Sequence, residues 1–278
     1  LHSLPLERSR PLWECTLIEG LQPGRFALYM KIHHALADGV GLMNQLSQIL
    51  AESPRGASLP PWSAPVAAAP APKATQAADD DWRRFFEGLL GKIGKPKPER
   101  KGASGLPRGP RCILNGNTTG RRRFATQRLE LARVKAIAKA ADATVNDVVL
   151  AVCSGVLRTY LEEVDRIPKD SLLVSVPVAL PREAGQTIGN SVAGVHAPLA
   201  THIADPKKRL LAIRDAMRDA KEEFNRLPVA LNRAINSLGM LAMMMVPKRE
   251  NTDPENAAFT NLTISNVPGP KQKLYFNG

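Results

Sequence analysis

Between Arg25 and His34 the chain alternates in the strand sense, with Phe26, Leu28, Met30, Ile32 and His34 on one face and Ala27, Tyr29, Lys31 and His33 on the other. The pattern predicts a strand that carries His34 on its apolar side. After Asp38 and Gly39 the period changes, and Met43, Leu46 and Leu50 recur at helical spacing within Val40 to Ala51. Further on, Leu131 to Ala141 reads as a short amphipathic helix. Thr144 to Glu163 reads as a longer one, whose Val148, Val149, Val152, Val156 and Leu157 are too continuous for a one-sided surface helix and predict burial. Leu172 to Val178 has the make-up of an interior strand and Ser191 to Leu199 of a weaker one. Asp205 and Pro206 supply the cap and first turn of a helix through Phe224. Pro228 to Met245 reads as a Met-rich helix, and Thr260, Leu262 and Ile264 alternate in a strand that runs into the string SNVPGP.

The stretch from Ala51 to Pro110 breaks this order. Ten of the 23 prolines fall there, among Ala-rich runs that offer little to bury. It reads as a connector, residues 51–110, between an N-terminal part, 1–50, and a C-terminal part, 111–278. Within it, Trp82, Phe85, Phe86, Leu89, Leu90 and Ile93 follow three aspartates at a spacing that puts all six on one helical face. Docking against a domain and anchoring at a membrane surface both fit such a helix. Mixed strands and helices on either side of a connector predict a two-domain α/β or α+β enzyme.

Charge changes the picture in one place. The formal net charge is +12, yet the window from Lys92 to Arg123 holds ten Lys or Arg and the single acid Glu99, so most of the excess is local. Such a run fits a solvated connector, the phosphates of a nucleotide-bearing substrate, or an anionic bilayer. A hydrophobic fraction of 44% excludes a disordered chain. Cys15, Cys112 and Cys153 stand far apart and odd in number, giving neither a disulfide framework nor paired metal spacing. No apolar run reaches the roughly 18 residues of a membrane span. The first residue is Leu1, which fits a chain beginning inside a longer protein.

The chemistry-bearing string is HHALADG, His33 to Gly39. Neighbouring side chains on a strand face opposite ways and on a helix lie about 100° apart, so His33 and His34 do not share one metal ion as an i, i+4 pair does. General-base chemistry suits one of them better, because an imidazole titrating near neutrality takes a proton from an alcohol as its oxygen attacks an acyl carbonyl. His34 is placed for that role and His33 for fixing the turn. Asp38 reads as the cap of the following helix or as an orienting carboxylate, and Gly39 and Gly41 as points of backbone freedom and close approach for a substrate. Asn146 and Asp147 open the helix after Thr144. There a TxxD arrangement resembles a capping box, and the Asn146 amide is free to donate to a developing oxyanion.

HHxxxDG resembles the active-site motif of the CoA-dependent acyltransferase superfamily with the chloramphenicol acetyltransferase fold. With PLWE at Pro11 to Glu14, TVNDVVLA at Thr144 to Ala151, IGN at Ile188 to Asn190 and SNVPGP at Ser265 to Pro270, the chain resembles the bacterial wax ester synthase/acyl-CoA:diacylglycerol acyltransferase family. The resemblance implies two similar α/β domains with a tunnel between them, in a chain lacking the family's outer N- and C-terminal parts. It also implies His34 as the base acting on a long-chain alcohol or diacylglycerol, with fatty acyl-CoA as donor. His33, Asp38, Gly39 and Asn146 would be its support, and no cofactor or nucleic acid is expected. The setting it suggests is the cytoplasmic side of the inner membrane or the surface of lipid inclusions. Two alternatives stand beside it: a related condensation-type enzyme with an amine acceptor, and a non-catalytic protein that binds membranes or lipid droplets.

Overall fold

The computed structural model describes residues 1–60, 109–116, 119–180, 192–226, 232 and 260–276. The connector helix at 82–93, the IGN string at 188–190 and the Met-rich segment at 228–245 lie outside these residues. Two structural units are built from what is described.

In the N-terminal unit, β1 (Trp13–Gln22) and β2 (Arg25–Ile32) form an antiparallel hairpin, followed by helix α1 (Gly39–Ile49). Gly24, at the hairpin turn, has φ 71°, a conformation that favours glycine. Trp13, Leu17 and Leu28 are 37%, 53% and 40% exposed, so the apolar side of this hairpin is not core.

The C-terminal unit is a three-stranded sheet with helices on one face. Strand order is β4 (Val192–Pro198), β3 (Leu173–Ala179), β5 (Leu262–Thr263), with β3 antiparallel to β4 and parallel to β5. Pairing of Val174 with Ala197 and Leu262, and of Val176 with Val195, turns these residues to one face. There they meet Leu150 and Leu161 of α3 (Val145–Val164) and Ile213 and Met217 of α4 (Pro206–Asn225). Helix α2 (Leu131–Ala140) packs on the start of α3 through Ala138 and Val148.

Helix α3 departs from the expectation of full burial. Leu150, Ser154 and Leu161 are buried, whereas Val152 and Val156 are 44% and 65% exposed on the other side. Hydrophobicity all round a helix shows that two faces can be covered, not that both are. Several polar side chains inside the core bond to the backbone. Ser154 Oγ donates to the Leu199 carbonyl at 2.6 Å, and Thr201 Oγ1 accepts the Leu172 amide at 3.0 Å. Arg209, 8% exposed, donates from Nη1 to the Ile203 carbonyl at 2.8 Å. Its guanidinium lies over Gly155, where a Cβ would come 3.2 Å from Nη2.

Candidate active site

Strand β2 ends at Ile32, two residues earlier than the alternation suggests. The His33 amide still donates to the Leu12 carbonyl at 2.9 Å, but the Leu36 amide then turns back to the His33 carbonyl at 3.0 Å. His34 is therefore an exposed turn residue and not the last member of an apolar strand face. The correction favours chemistry, because the ring is accessible and not packed into the interior.

His33 holds the turn, as its expected role requires. Its Nδ1 accepts the Ala35 amide at 3.1 Å. Asp38 closes the other end. It is 2% exposed, has extended backbone, and accepts the Gly41 amide on Oδ1 at 2.8 Å as the N-cap of α1. His34 thus sits between two fixed points, one at His33 and one at Asp38.

Gly39 is where this loop meets the far end of the chain. A Cβ built there would lie 2.8 Å from Cγ2 of Val267, inside SNVPGP. The close contact at this glycine is made by the SNVPGP valine, where the sequence suggested room for a substrate. At the opposite end of α1, Ala51 and Tyr275 exchange both backbone hydrogen bonds at 2.9 and 2.8 Å, and Ser58 Oγ donates to the Tyr275 carbonyl at 3.0 Å. Residues 265–276 thereby lie along α1.

Asn146 occupies the second position of α3 and is half-buried. Among the described residues no hydrogen bond joins it to the histidine turn, so the structure does not bring these two parts together directly. Thr144 and Asp147 form the capping box read from the sequence, with bonds of 2.8 and 3.2 Å. Asp147 is 3% exposed and its Oδ1 has no hydrogen-bond partner.

One organising residue was not foreseen. Asn261, 7% exposed, accepts the Leu173 amide on Oδ1 at 2.8 Å. Through Nδ2 it donates to the Pro110 carbonyl at 2.6 Å and to Asn115 Oδ1 at 2.8 Å. It fastens the segment at 109–116 to β3 and to the strand that leads into SNVPGP. A Cβ at Gly109 would strike it, so glycine is needed there. The only signal in the sequence was an amide at the start of an apolar alternation, which is weak. Burial raises the thiols of Cys112 and Cys153 above their ordinary range and holds His196 on β4 below the usual imidazole value.

Comparison with known proteins identifies the family. A Mycobacterium tuberculosis protein bearing a diacylglycerol O-acyltransferase name is 40% identical over 297 residues, covering 100% of this chain and 63% of its own length. The O-acyltransferase WSD of Acinetobacter baylyi is 36% identical over 298 residues, with the same two coverages, 100% and 63%. The chain thus spans about three fifths of the length of the curated relatives it matches. The solved wax ester synthase/diacylglycerol acyltransferase from Marinobacter aquaeolei VT8 superposes with a TM-score of 0.65 at 33% identity, over 100% of this chain and 58% of that one. The mixed α/β fold expected from the sequence is therefore the one found. Residues 1–149 match the wax ester synthase/diacylglycerol acyltransferase catalytic domain, and residues 188–278 match the C-terminal domain of the same proteins. With the histidine turn in the first match and the loop that covers Gly39 in the second, the chain belongs to the wax ester synthase/diacylglycerol acyltransferase family.

Proposed function

We propose that this protein is an O-acyltransferase that moves a long-chain fatty acyl group from acyl-CoA to a long-chain alcohol or diacylglycerol, with His34 as general base. The observation that carries this reading is an exposed His34 held between the His33 and Asp38 anchors, with the SNVPGP loop packed on Gly39. The His34 imidazole takes the hydroxyl proton while the oxygen attacks the thioester carbonyl. The tetrahedral intermediate collapses, the C–S bond breaks, and the imidazolium returns the proton to the CoA thiolate. No acyl-enzyme is required, because the thioester already has a good leaving group and the protein adds proximity and proton transfer. The Asn146 amide serves the developing oxyanion once the two parts of the site close on substrate.

Attachment to the cytoplasmic face of the membrane or to lipid inclusions belongs to the same proposal. It is supported by Arg121, Arg122 and Arg123 running directly into Phe124, which is 91% exposed. The test is transfer from labelled palmitoyl-CoA to hexadecanol and to diolein. Replacing His34 by Ala is expected to lower turnover by about 10²- to 10⁴-fold. Unchanged transfer in that variant, with lipid association abolished by reversing charge at Arg121, Arg122 and Arg123, would establish a binding role instead.

A further inference from the structure

No acid stands between Glu99 and Glu130, whereas eight Lys or Arg do. Three of them, Arg121, Arg122 and Arg123, are consecutive and exposed. Arg122 serves the local backbone, since its Nη1 donates to the Thr119 carbonyl and, at 2.9 Å, to the Arg121 carbonyl. The Thr119 hydroxyl closes the same turn by accepting the Arg121 amide at 3.3 Å. Among the described residues no acceptor meets the guanidinium of Arg121 or of Arg123. Acids of the N-terminal segment are already engaged, Glu7 by Arg10 at 3.1 Å and Glu14 by Lys31 at 3.2 Å. Two cations on a pinned turn, without a paired carboxylate, attract an anion.

The turn is tied to the strand that leads into the histidine motif. A Cβ built at Gly120 would lie 3.9 Å from the Ser3 carbonyl oxygen, so the chain there rests against the N-terminal segment. The next carbonyl of that segment, at Leu4, accepts Lys31 Nζ at 2.8 Å. Lys31 precedes His34 by three residues, about 10 Å of extended chain. The pantetheine arm of acyl-CoA has the length of about four residues of peptide backbone, roughly 14 Å. It therefore spans the step from His34 to Lys31, and Ser3 and Gly120 lie just beyond. We propose that Arg121 and Arg123 hold the phosphates of acyl-CoA while its thioester lies at His34, and that Phe124 carries the adenine. Phe124 directly follows Arg123 and is 91% exposed, and a purine stacks on such a ring without any specific hydrogen bond. This gives the arginines a use beyond membrane attachment.

The inference rests on the acyltransferase reading, and the experiment keeps the two apart. Transfer to hexadecanol in neutral detergent micelles is measured with palmitoyl-CoA and with palmitoyl-pantetheine, which has the same thioester and arm but neither phosphate nor adenine. In a variant carrying Arg121→Ala and Arg123→Ala, the kcat/KM preference for palmitoyl-CoA falls about tenfold, the size of a lost charge-assisted hydrogen bond. In Phe124→Leu, which keeps the apolar bulk and loses the aromatic face, it falls about threefold. A wild type without the preference, or an unchanged preference in the arginine variant, overturns the inference. The second result, joined to lost binding of phosphatidylcholine vesicles containing phosphatidylglycerol, would mean that the arginines meet only lipid headgroups. A lower melting temperature with both donors slowed equally marks a structural role and overturns it too. An unchanged preference in Phe124→Leu alone overturns the adenine contact. If wild type transfers from neither donor, the acyltransferase reading fails. The arginines are then judged by calorimetry on coenzyme A itself, where weaker binding by the arginine variant supports the site and equal affinity, or no binding by wild type, overturns it.

Discussion

Replacing Gly39 by Ala tests whether the two ends of the chain meet at the site. The new Cβ would lie 2.8 Å from Val267 Cγ2, with Cγ1 at 3.5 Å and Cβ at 3.7 Å. Carbon atoms prefer separations of about 3.5–4.0 Å, so the closest contact is short by about 0.7 Å or more. Valine is stiff about χ1, and both of its methyl groups already border the space, so rotation exchanges one clash for another. Overpacking of this kind costs about 1–3 kcal/mol. Gly39 is the first residue of α1, where Ala returns at most about 1 kcal/mol of helix propensity, so the single variant is destabilised by about 1–2 kcal/mol. Replacing Val267 by Ala removes the clash and leaves the propensity gain. In a urea-melting double-mutant cycle, Gly39→Ala should therefore be neutral or stabilising by up to about 1 kcal/mol in the Val267→Ala background, with a coupling of about 1–3 kcal/mol. Strict additivity would mean that Val267 does not lie on Gly39, and the proposed junction between the histidine turn and SNVPGP would be lost.

Three further expectations follow from the same geometry. Asn261→Ala strands the buried Leu173 amide and the Pro110 carbonyl, and should cost about 2–4 kcal/mol in denaturant melts, whereas an effect below 1 kcal/mol would show that water replaces the clasp. His196 has a folded pKa below its ordinary 6.5, so the unfolded chain binds more protons just under that value. Its contribution to stability is complete above about pH 6.5 and is lost as pH falls toward the depressed folded value. Melting temperatures of His196→Gln should therefore fall less steeply than wild type between pH 6.5 and 5, and parallel curves would remove His196 as the cause. The Thr144→Ala variant loses the acceptor for the Asp147 amide and should melt with about 1 kcal/mol less stability, an effect absent if Asp147 alone caps α3.

Much of the secondary structure was legible because its signals are local. Asp38, Thr144 and Asp205 each read as a helix cap, and each side chain accepts the amide three residues ahead, at 2.8, 3.2 and 2.7 Å. The apolar make-up of Leu172 to Val178 and of Ser191 to Leu199 placed β3 and β4. The failures share a cause. His34 continued an apolar alternation in sequence, but the strand stops once β1 offers no partner beyond Leu12, and no pattern within residues 25–34 contains Leu12. Strand β1 itself went unread, and Trp13 at its start is 37% exposed. The apolar all-round pattern of α3 could not say which face is covered. Asn261 was missed because its four partners come from segments at 110, 115 and 173 that no window around 261 includes.

The junction at Gly39 joins residues more than two hundred positions apart, and closing a loop of that length costs about 5 kcal/mol in chain entropy. One van der Waals contact at Val267 does not offset that. The tail after it does more, since Tyr275 and Ala51 exchange two backbone hydrogen bonds and Ser58 adds a third contact to the Tyr275 carbonyl. The SNVPGP loop is then held on α1 from both sides, by the sheet through Ile264 and Asn261 and by the Tyr275 bridge. Tyr275→Pro removes the amide that donates to Ala51 and leaves the sheet side untouched. A lost hydrogen bond of about 1 kcal/mol lowers the closed fraction about threefold where open and closed forms are balanced, and up to about fivefold where the open form dominates. Acyl transfer should fall by that factor in Tyr275→Pro and stay at the wild-type rate in Tyr275→Phe, which keeps every backbone group. Equal rates in all three proteins would show that the sheet alone keeps Val267 on Gly39.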